Sequence, residues 1–269
     1  KHALEIAAIG KHHCVLVGSE RSGRARLAEH VAATLPRMTL QEGLAATLRY
    51  SELGKLPLRT GLMAHRPWEK VAPYTSPEEW KEKLFLAHLG VFIVDNIQDL
   101  SLAQAQLLQQ VLQEKSLSRK GKKVPCDILL IGLSHLGSVP VELNTWIDLY
   151  IDVPIISIED HIRFDEQLET SIEIRERIEA AREYQVKRFE SFDNIRWNAD
   201  ISSEQIDQWV AINQPTKMLM NISLKNLGIS PKIIPQARRV AQSIADRVGD
   251  PLIQPYYIAE AIQYFTLME

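Results

Sequence analysis

The sequence predicts an α/β protein: a parallel sheet flanked by helices, followed by an all-helical C-terminal region. Three observations carry this. Short apolar runs, Cys14–Val17, Val91–Val94 and Leu129–Ile131, alternate with helix-favouring stretches. Gly18 closes the first run and Asp95 ends the second, the punctuation of strand ends in such sheets. After Pro154 no strand signal of comparable strength returns.

Each segment follows from local composition. Ala3 to Ile9 favours helix, Cys14 to Gly18 a strand, and Ala25 to Leu35 a helix. From Thr39 to Glu82 glycines and prolines interrupt the pattern, which predicts an insertion of short helices and turns rather than core strands. Val91 to Asp95 is the second strand and Leu102 to Gln113 a helix; Asp127 to Gly132 and Trp146 to Val153 supply two more strands. Ser171 to Glu190 reads as one charged helix, with Ile174, Ile178 and Ala181 along one side. Helices are further expected from Ser202, from Pro235 to Val248 and from Pro255 to Leu267, with a turn at 226–230. The expected domains are a core at 1–154, a connecting segment with the charged helix at 155–200, and a helical domain at 201–269.

Composition excludes several classes. The 269 residues carry 31 Lys+Arg against 34 Asp+Glu, a formal charge of −3, so no global basic field draws the chain to nucleic acid or anionic lipid. Only 2 cysteines occur, Cys14 and Cys126, in or beside apolar runs far apart, the pattern of reduced thiols in the cytoplasm. No apolar stretch reaches the roughly 18 residues of a membrane span, and Lys1-His-Ala-Leu-Glu5 has no secretory character. A start at Lys1 rather than Met leaves room for an upstream domain.

The segment with a chemical signature is Gly18-Ser-Glu-Arg-Ser22-Gly23-Arg24-Ala25, between a strand and a helix. A phosphate-binding loop of pattern G-x-x-x-x-G-K-[ST] uses its glycines to curl backbone N–H groups around phosphate, its Lys to reach the outer phosphates and its hydroxyl to hold Mg²⁺. Here both glycines keep the spacing, while Arg24 replaces Lys and Ala25 replaces the hydroxyl. A tight turn in a βα unit needs the same glycines without any ligand.

Around this loop the chain resembles the magnesium-chelatase-type AAA+ ATPases, and within them the ComM-like bacterial proteins linked to DNA branch migration. The likeness runs through Ala3–Ala8, His65-Arg-Pro-Trp68, Leu86–Asp95, Ile147–Pro154, Glu173–Arg182 with Lys187–Phe189, and Ile258–Tyr264. It implies an AAA+ αβα core with a parallel sheet and an all-helical lid. It also assigns positions. Gly18, Ser22, Gly23, Arg24, Ala25, Asp95 and Lys232 fall at the nucleotide site, with Asp95 as the metal carboxylate and Lys232 at the lid's sensor arginine. Asn96, Ser134 and Trp146 fall where the family carries its water-activating Glu, its sensor Asn and an Arg. The expected ligand is ATP or ADP, with Mg²⁺ poorly provided for; the expected partners are the chain itself or an AAA+ paralogue in a ring.

Two functions are therefore expected in competition. One is a pseudo-ATPase scaffold or interaction subunit; the other is an active ATP-driven motor of the ComM-like type acting on branched DNA. An insertase-like chelatase subunit ranks third, because it too needs hydrolysis. Arg119-Lys120-Gly-Lys122-Lys123 is the one dense basic cluster, placed by the resemblance on a hairpin able to meet DNA phosphate, or otherwise a solvated tip. His12-His13-Cys14 does not make a metal site, because adjacent residues in a strand point to alternate faces. His88 and His135 are expected in structural hydrogen bonds.

Overall fold

The computed structural model describes all residues except 57, 60, 136, 156–168, 193–194, 229 and 267–269. Its strands are β1 (Cys14–Val17), β2 (Trp68–Val71), β3 (Val91–Val94), β4 (Ser116–Arg119), β5 (Lys122–Pro125), β6 (Leu129–Ser134) and β7 (Leu149–Asp152). Its helices are α1 (His2–Gly10), α2 (Arg24–Thr34), α3 (Leu40–Glu52), α4 (Pro77–Leu86), α5 (Leu102–Glu114), α6 (Ser171–Phe189), α7 (Ile206–Trp209), α8 (Gln214–Leu227), α9 (Ile234–Val248) and α10 (Pro255–Gln263). Five strands form a parallel sheet in the order β2-β3-β6-β1-β7, and β4-β5 is a separate hairpin. Sheet neighbours that are distant in sequence mark crossover connections, as parallel pairing requires.

The chain divides into two compact units. One spans Val15–Ile147 and Asp152–Leu168. Its centre is β3, buried along its whole length and paired in parallel with β2 (Trp68 opposite Val91) and with β6 (Val91 opposite Leu129). Strands covered on both faces read as continuous apolar runs, which is why Val91–Val94 and Leu129–Leu133 were legible without any alternation. Trp80 of α4 meets Phe92 edge-on at 5.7 Å between ring centroids, and its indole N–H donates to the Ala72 carbonyl at 3.1 Å. Ser76 and Ser101 cap α4 and α5, and Thr39 closes a capping box with Glu42 on α3.

Here the expectation for 39–82 is corrected. The segment contributes β2 to the main sheet and a 13-residue helix, α3. Prolines just outside β2, at 67 and 73, mimic a loop in sequence. They sit beyond the paired residues and remove no ladder hydrogen bond between them.

The other unit comprises Lys1–Cys14, Asp148–Ile151 and Glu169–Glu269, so α1 packs with α6 and α9. Ile6, Ala7, Ala8 and Ile9 of α1 are fully buried there. Glu5 is buried with them and receives Arg177 at 2.6 Å and Arg247 at 2.9 Å. A connected polar network runs through the interior. His12 binds Asp148 through Nδ1 at 2.8 Å and Ser243 through Nε2 at 2.7 Å. Arg239 reaches the second Asp148 oxygen at 3.2 Å, while Asn198 links Ser243 to Asp246, which is also held by Arg188. Burial pushes the Asp148 carboxyl up, but Arg239 and His12 outweigh it and hold its pKa at about 2. The helix expected from Ser202 is one short turn, α7, and the main helix follows at Gln214, where Asn213 caps the chain and Pro215 lies in the first turn.

Candidate functional site

The loop from Gly18 to Ala25 is built as a tight bend between β1 and α2. The Gly18 N–H donates to the Ser134 carbonyl at 3.0 Å, anchoring the loop's start to the end of β6. Glu20–Ser22 makes one 3₁₀ turn, with the Ser22 N–H on the Ser19 carbonyl at 3.1 Å. Gly23 then takes φ 80°, a left-handed conformation that costs a side-chain-bearing residue about 1–2 kcal/mol, and α2 begins at the next residue. A Cβ at Gly18 would lie 2.4 Å from the Val153 carbonyl oxygen, so this position accepts glycine alone without backbone movement.

Arg24 is 2% exposed. Its Nη1 donates to the Gly18 carbonyl at 2.5 Å, and its Nη2 lies 3.5 Å from Asn96 Oδ1. The cation at the position of a phosphate-reaching lysine is thus tied to the loop's own first carbonyl and to the side chain after Asp95. Hydrogen bonds of a charged donor contribute about 1.5–3 kcal/mol each in general. The Ser22 hydroxyl, in the same loop, is buried and has no hydrogen-bond partner among the described residues. Ala25 brings only a methyl to the first turn of α2.

Asp95 follows β3 directly. Its Oδ1 accepts the Asn96 N–H at 3.1 Å, and Asn96 itself sits at φ 46°, a left-handed conformation that Asn tolerates better than most residues. The Lys70 ammonium of β2 stands 3.8 Å from Asp95 Oδ2 and 3.8 Å from Glu29 Oε1 of α2. Lys70 and Glu29 were not singled out in the sequence. Lys70 lies in the stretch read as an insertion, and Glu29 is one carboxylate among several on a helix surface; the period-two pattern of Trp68 and Lys70 on one strand face is the signal that was available.

The structure therefore gathers Gly18, Ser22, Gly23, Arg24, Ala25, Asp95 and Asn96 at one end of the sheet. Ser134 reaches it through its carbonyl, while its hydroxyl is turned to its own loop, accepting the Gly137 N–H at 3.1 Å. Trp146 is half-buried in the turn before β7, its N–H on the Leu143 carbonyl at 2.9 Å. Lys232 belongs to the other unit, exposed in the 3₁₀ turn Pro231–Ile233, where its N–H donates to the Ser230 hydroxyl at 3.3 Å.

The basic cluster forms the β4–β5 hairpin, turning through Lys120 and Gly121 at φ 49° and 75°. Arg119 pairs with Glu52 at 2.5 Å and stacks on the Phe85 ring at 4.1 Å, and Lys123 pairs with Glu114 at 2.9 Å. Lys120 Nζ lies 3.9 Å from the same Glu52 oxygen, and Lys122 is exposed. Elsewhere the lone histidines are hydrogen-bonded: His88 Nδ1 accepts the Asp127 N–H at 3.0 Å, and His135 Nδ1 lies 3.0 Å from Gln98 Nε2. Both cysteines are buried, Cys126 Sγ lies 3.3 Å from the Leu84 carbonyl oxygen, and burial pushes the Cys14 thiol up to about 12. No helix among the described residues is long and apolar enough to cross a membrane.

Comparison with known proteins gives the same outline. Residues 1–133 match the family model for magnesium chelatase, subunit ChlI, and residues 168–264 match that for the ChlI C-terminal region. The competence protein ComM of Haemophilus influenzae is 25% identical over the whole chain. YifB of Escherichia coli, uncharacterized, is 23% identical over 98% of the chain, and the uncharacterized Rv2897c of Mycobacterium tuberculosis is 24% identical over 93%. The chain spans 58% of the length of the first two relatives and 56% of the third.

Proposed function

Because the chain belongs to the magnesium chelatase family of AAA+ proteins, on its ComM-like side, we propose that it is a catalytically silent AAA+ module that works through its surfaces. Its partner on this reading is a second copy or an AAA+ paralogue in a ring. The observation that carries the reading is the pairing of Arg24 with Gly18 and Asn96. Phosphoryl transfer needs a cation on the outer phosphates, a metal and a group that orients the attacking water. Here the cation is committed to protein oxygens. The water-activating carboxylate expected from the resemblance is an amide, which cannot accept a proton as a general base. Trp146 at the family's arginine position removes a further source of charge stabilisation, one worth about 10³–10⁵ in rate in other nucleotide hydrolases.

Phosphate release from saturating Mg·ATP by the purified chain tests this. The expected result is turnover indistinguishable from buffer, unchanged in Asp95→Ala. A rate near 1 s⁻¹, the lower end of ordinary enzymes, that Asp95→Ala abolishes would overturn it in favour of the motor.

The exposed hairpin tip favours one element of that second reading, contact with DNA through Lys120 and Lys122. Glu52 and Glu114 already neutralise Arg119 and Lys123, so few phosphates are engaged. Affinity for a branched duplex is then expected to fall only gently with salt, with a log–log slope of about −2. A slope much steeper than this would assign DNA binding to a larger surface.

A further inference from the structure

In nucleotide sites of this kind, Mg²⁺ reaches the carboxylate that follows the strand equivalent to β3, in company with a loop hydroxyl. The residues of this chain do not fit that ion. Ala25 offers no oxygen at the loop's end. Asp95 directs one oxygen to the Asn96 N–H and the other toward Lys70. Glu29 also pairs with Lys70, at the same 3.8 Å from the ammonium as Asp95. An ammonium therefore already stands within ion-pair distance of both carboxylates, with the Arg24 guanidinium a second cation on the adjoining residue. Among the described residues, no group of three or more His, Cys, Asp or Glu side chains is placed to hold a metal. A divalent ion on Asp95 would have to sit beside the Lys70 charge, in a site that lacks the hydroxyl donor at position 25.

We infer that the Lys70 ammonium is the resident cation of Asp95 and Glu29, standing where the family's site takes a divalent metal, so that a phosphate-bearing ligand meets this loop metal-free. The inference deepens the silent-module reading and rests on it for the identity of the site. It also explains why the charge of Asp95 is kept without its partner hydroxyl: the carboxylate ties β2 to the end of β3 by an ion pair rather than by a metal. Lys70, Asp95 and Glu29 are each about one-third exposed on their side chains, so the pair can be altered without opening the core.

The test uses Mn²⁺ as a divalent probe, read by the electron paramagnetic resonance of the free ion, on the whole chain with and without excess ADP. Wild type is expected to retain no protein-bound Mn²⁺ below millimolar concentration in either condition beyond that held by ADP itself. Lys70→Met keeps the aliphatic stem, removes the ammonium and leaves two carboxylates facing each other; it is expected to bind Mn²⁺ at least tenfold more tightly than wild type. Adding Asp95→Asn to it should abolish the gain, and Lys70→Arg, which keeps the charge, should not show it. Circular dichroism and the urea midpoint of each variant establish that it is folded. Sub-millimolar Mn²⁺ on wild type that Asp95→Asn removes would overturn the inference, and so would a Lys70→Met protein that binds no better than wild type. Failure of the silent-module reading is seen separately, as phosphate release from ATP.

Discussion

His12 illustrates how much one side chain can organise. It is fully buried, with a carboxylate on one ring nitrogen and a serine hydroxyl on the other, and each of those partners is itself held by a second group. Removing one member of such a network strands the rest in a medium that cannot solvate them. His12→Ala is expected to destabilise the unit containing α1 and α9 by about 3 kcal/mol, read from the shift of the urea midpoint. Acid should act on the same unit. Glu5 and Asp148 are both buried, and in each case arginine hydrogen bonds or charges outweigh the burial penalty and lower the folded-state pKa, for Asp148 to about 2. The unfolded chain binds those protons near pH 4, so the stabilisation is complete above about pH 5 and is lost as pH falls toward 2. Urea midpoints at pH 7, 4 and 3 check the direction; a midpoint unchanged down to pH 3 would contradict it. None of this was legible in His12-His13-Cys14. The residues showed that the trio does not converge on an ion, but the partner that matters lies 136 positions away at Asp148 and is brought close only by the fold.

At the level of elements, legibility followed burial. The strands β1, β3 and β6 are largely buried and announced themselves as apolar runs; α6 carried apolar spacing along one side, and α2, α5 and α9 were legible as helix-favouring stretches. Edge strand β2 was not, because only its last residue is buried and polar side chains occupy its middle. The meeting of the loop with Asp95-Asn96 at one end of the sheet was legible, because motif spacing places both at strand ends. Lys70 and Glu29 were hidden, because their meeting depends on β2 being a strand at all. The loop makes its own prediction at this scale. Gly18→Ala places a methyl group 2.4 Å from the Val153 carbonyl, and backbone cannot swing aside as a side chain tip can. We expect about 2 kcal/mol of destabilisation by chemical denaturation, whereas Gly121→Ala at the solvent-exposed hairpin turn, with nothing near its Cβ, should lose only the roughly 1 kcal/mol of its left-handed backbone.

For the whole molecule, the decisive feature is that one unit is assembled from three separate stretches of chain, Lys1–Cys14, Asp148–Ile151 and Glu169–Glu269. Division into a core followed by a lid describes the order of the sequence but not which residues share a core. Deleting residues 1–13 is expected to weaken the helical unit rather than the sheet unit, because Glu5 to Ile9 fill the former. Limited proteolysis should then cut between 169 and 269 while 15–147 stays protected; the reverse pattern would refute the division.

That division also sets a schedule. During synthesis α1 leaves the ribosome well before the helices it packs against, α6 and α9, which begin at Ser171 and Ile234. At about 5–20 residues per second, more than ten seconds separate α1 from α9. Throughout that interval the native cover of Ile6 and Ile9 is incomplete, so α1 is a natural client for a holding chaperone.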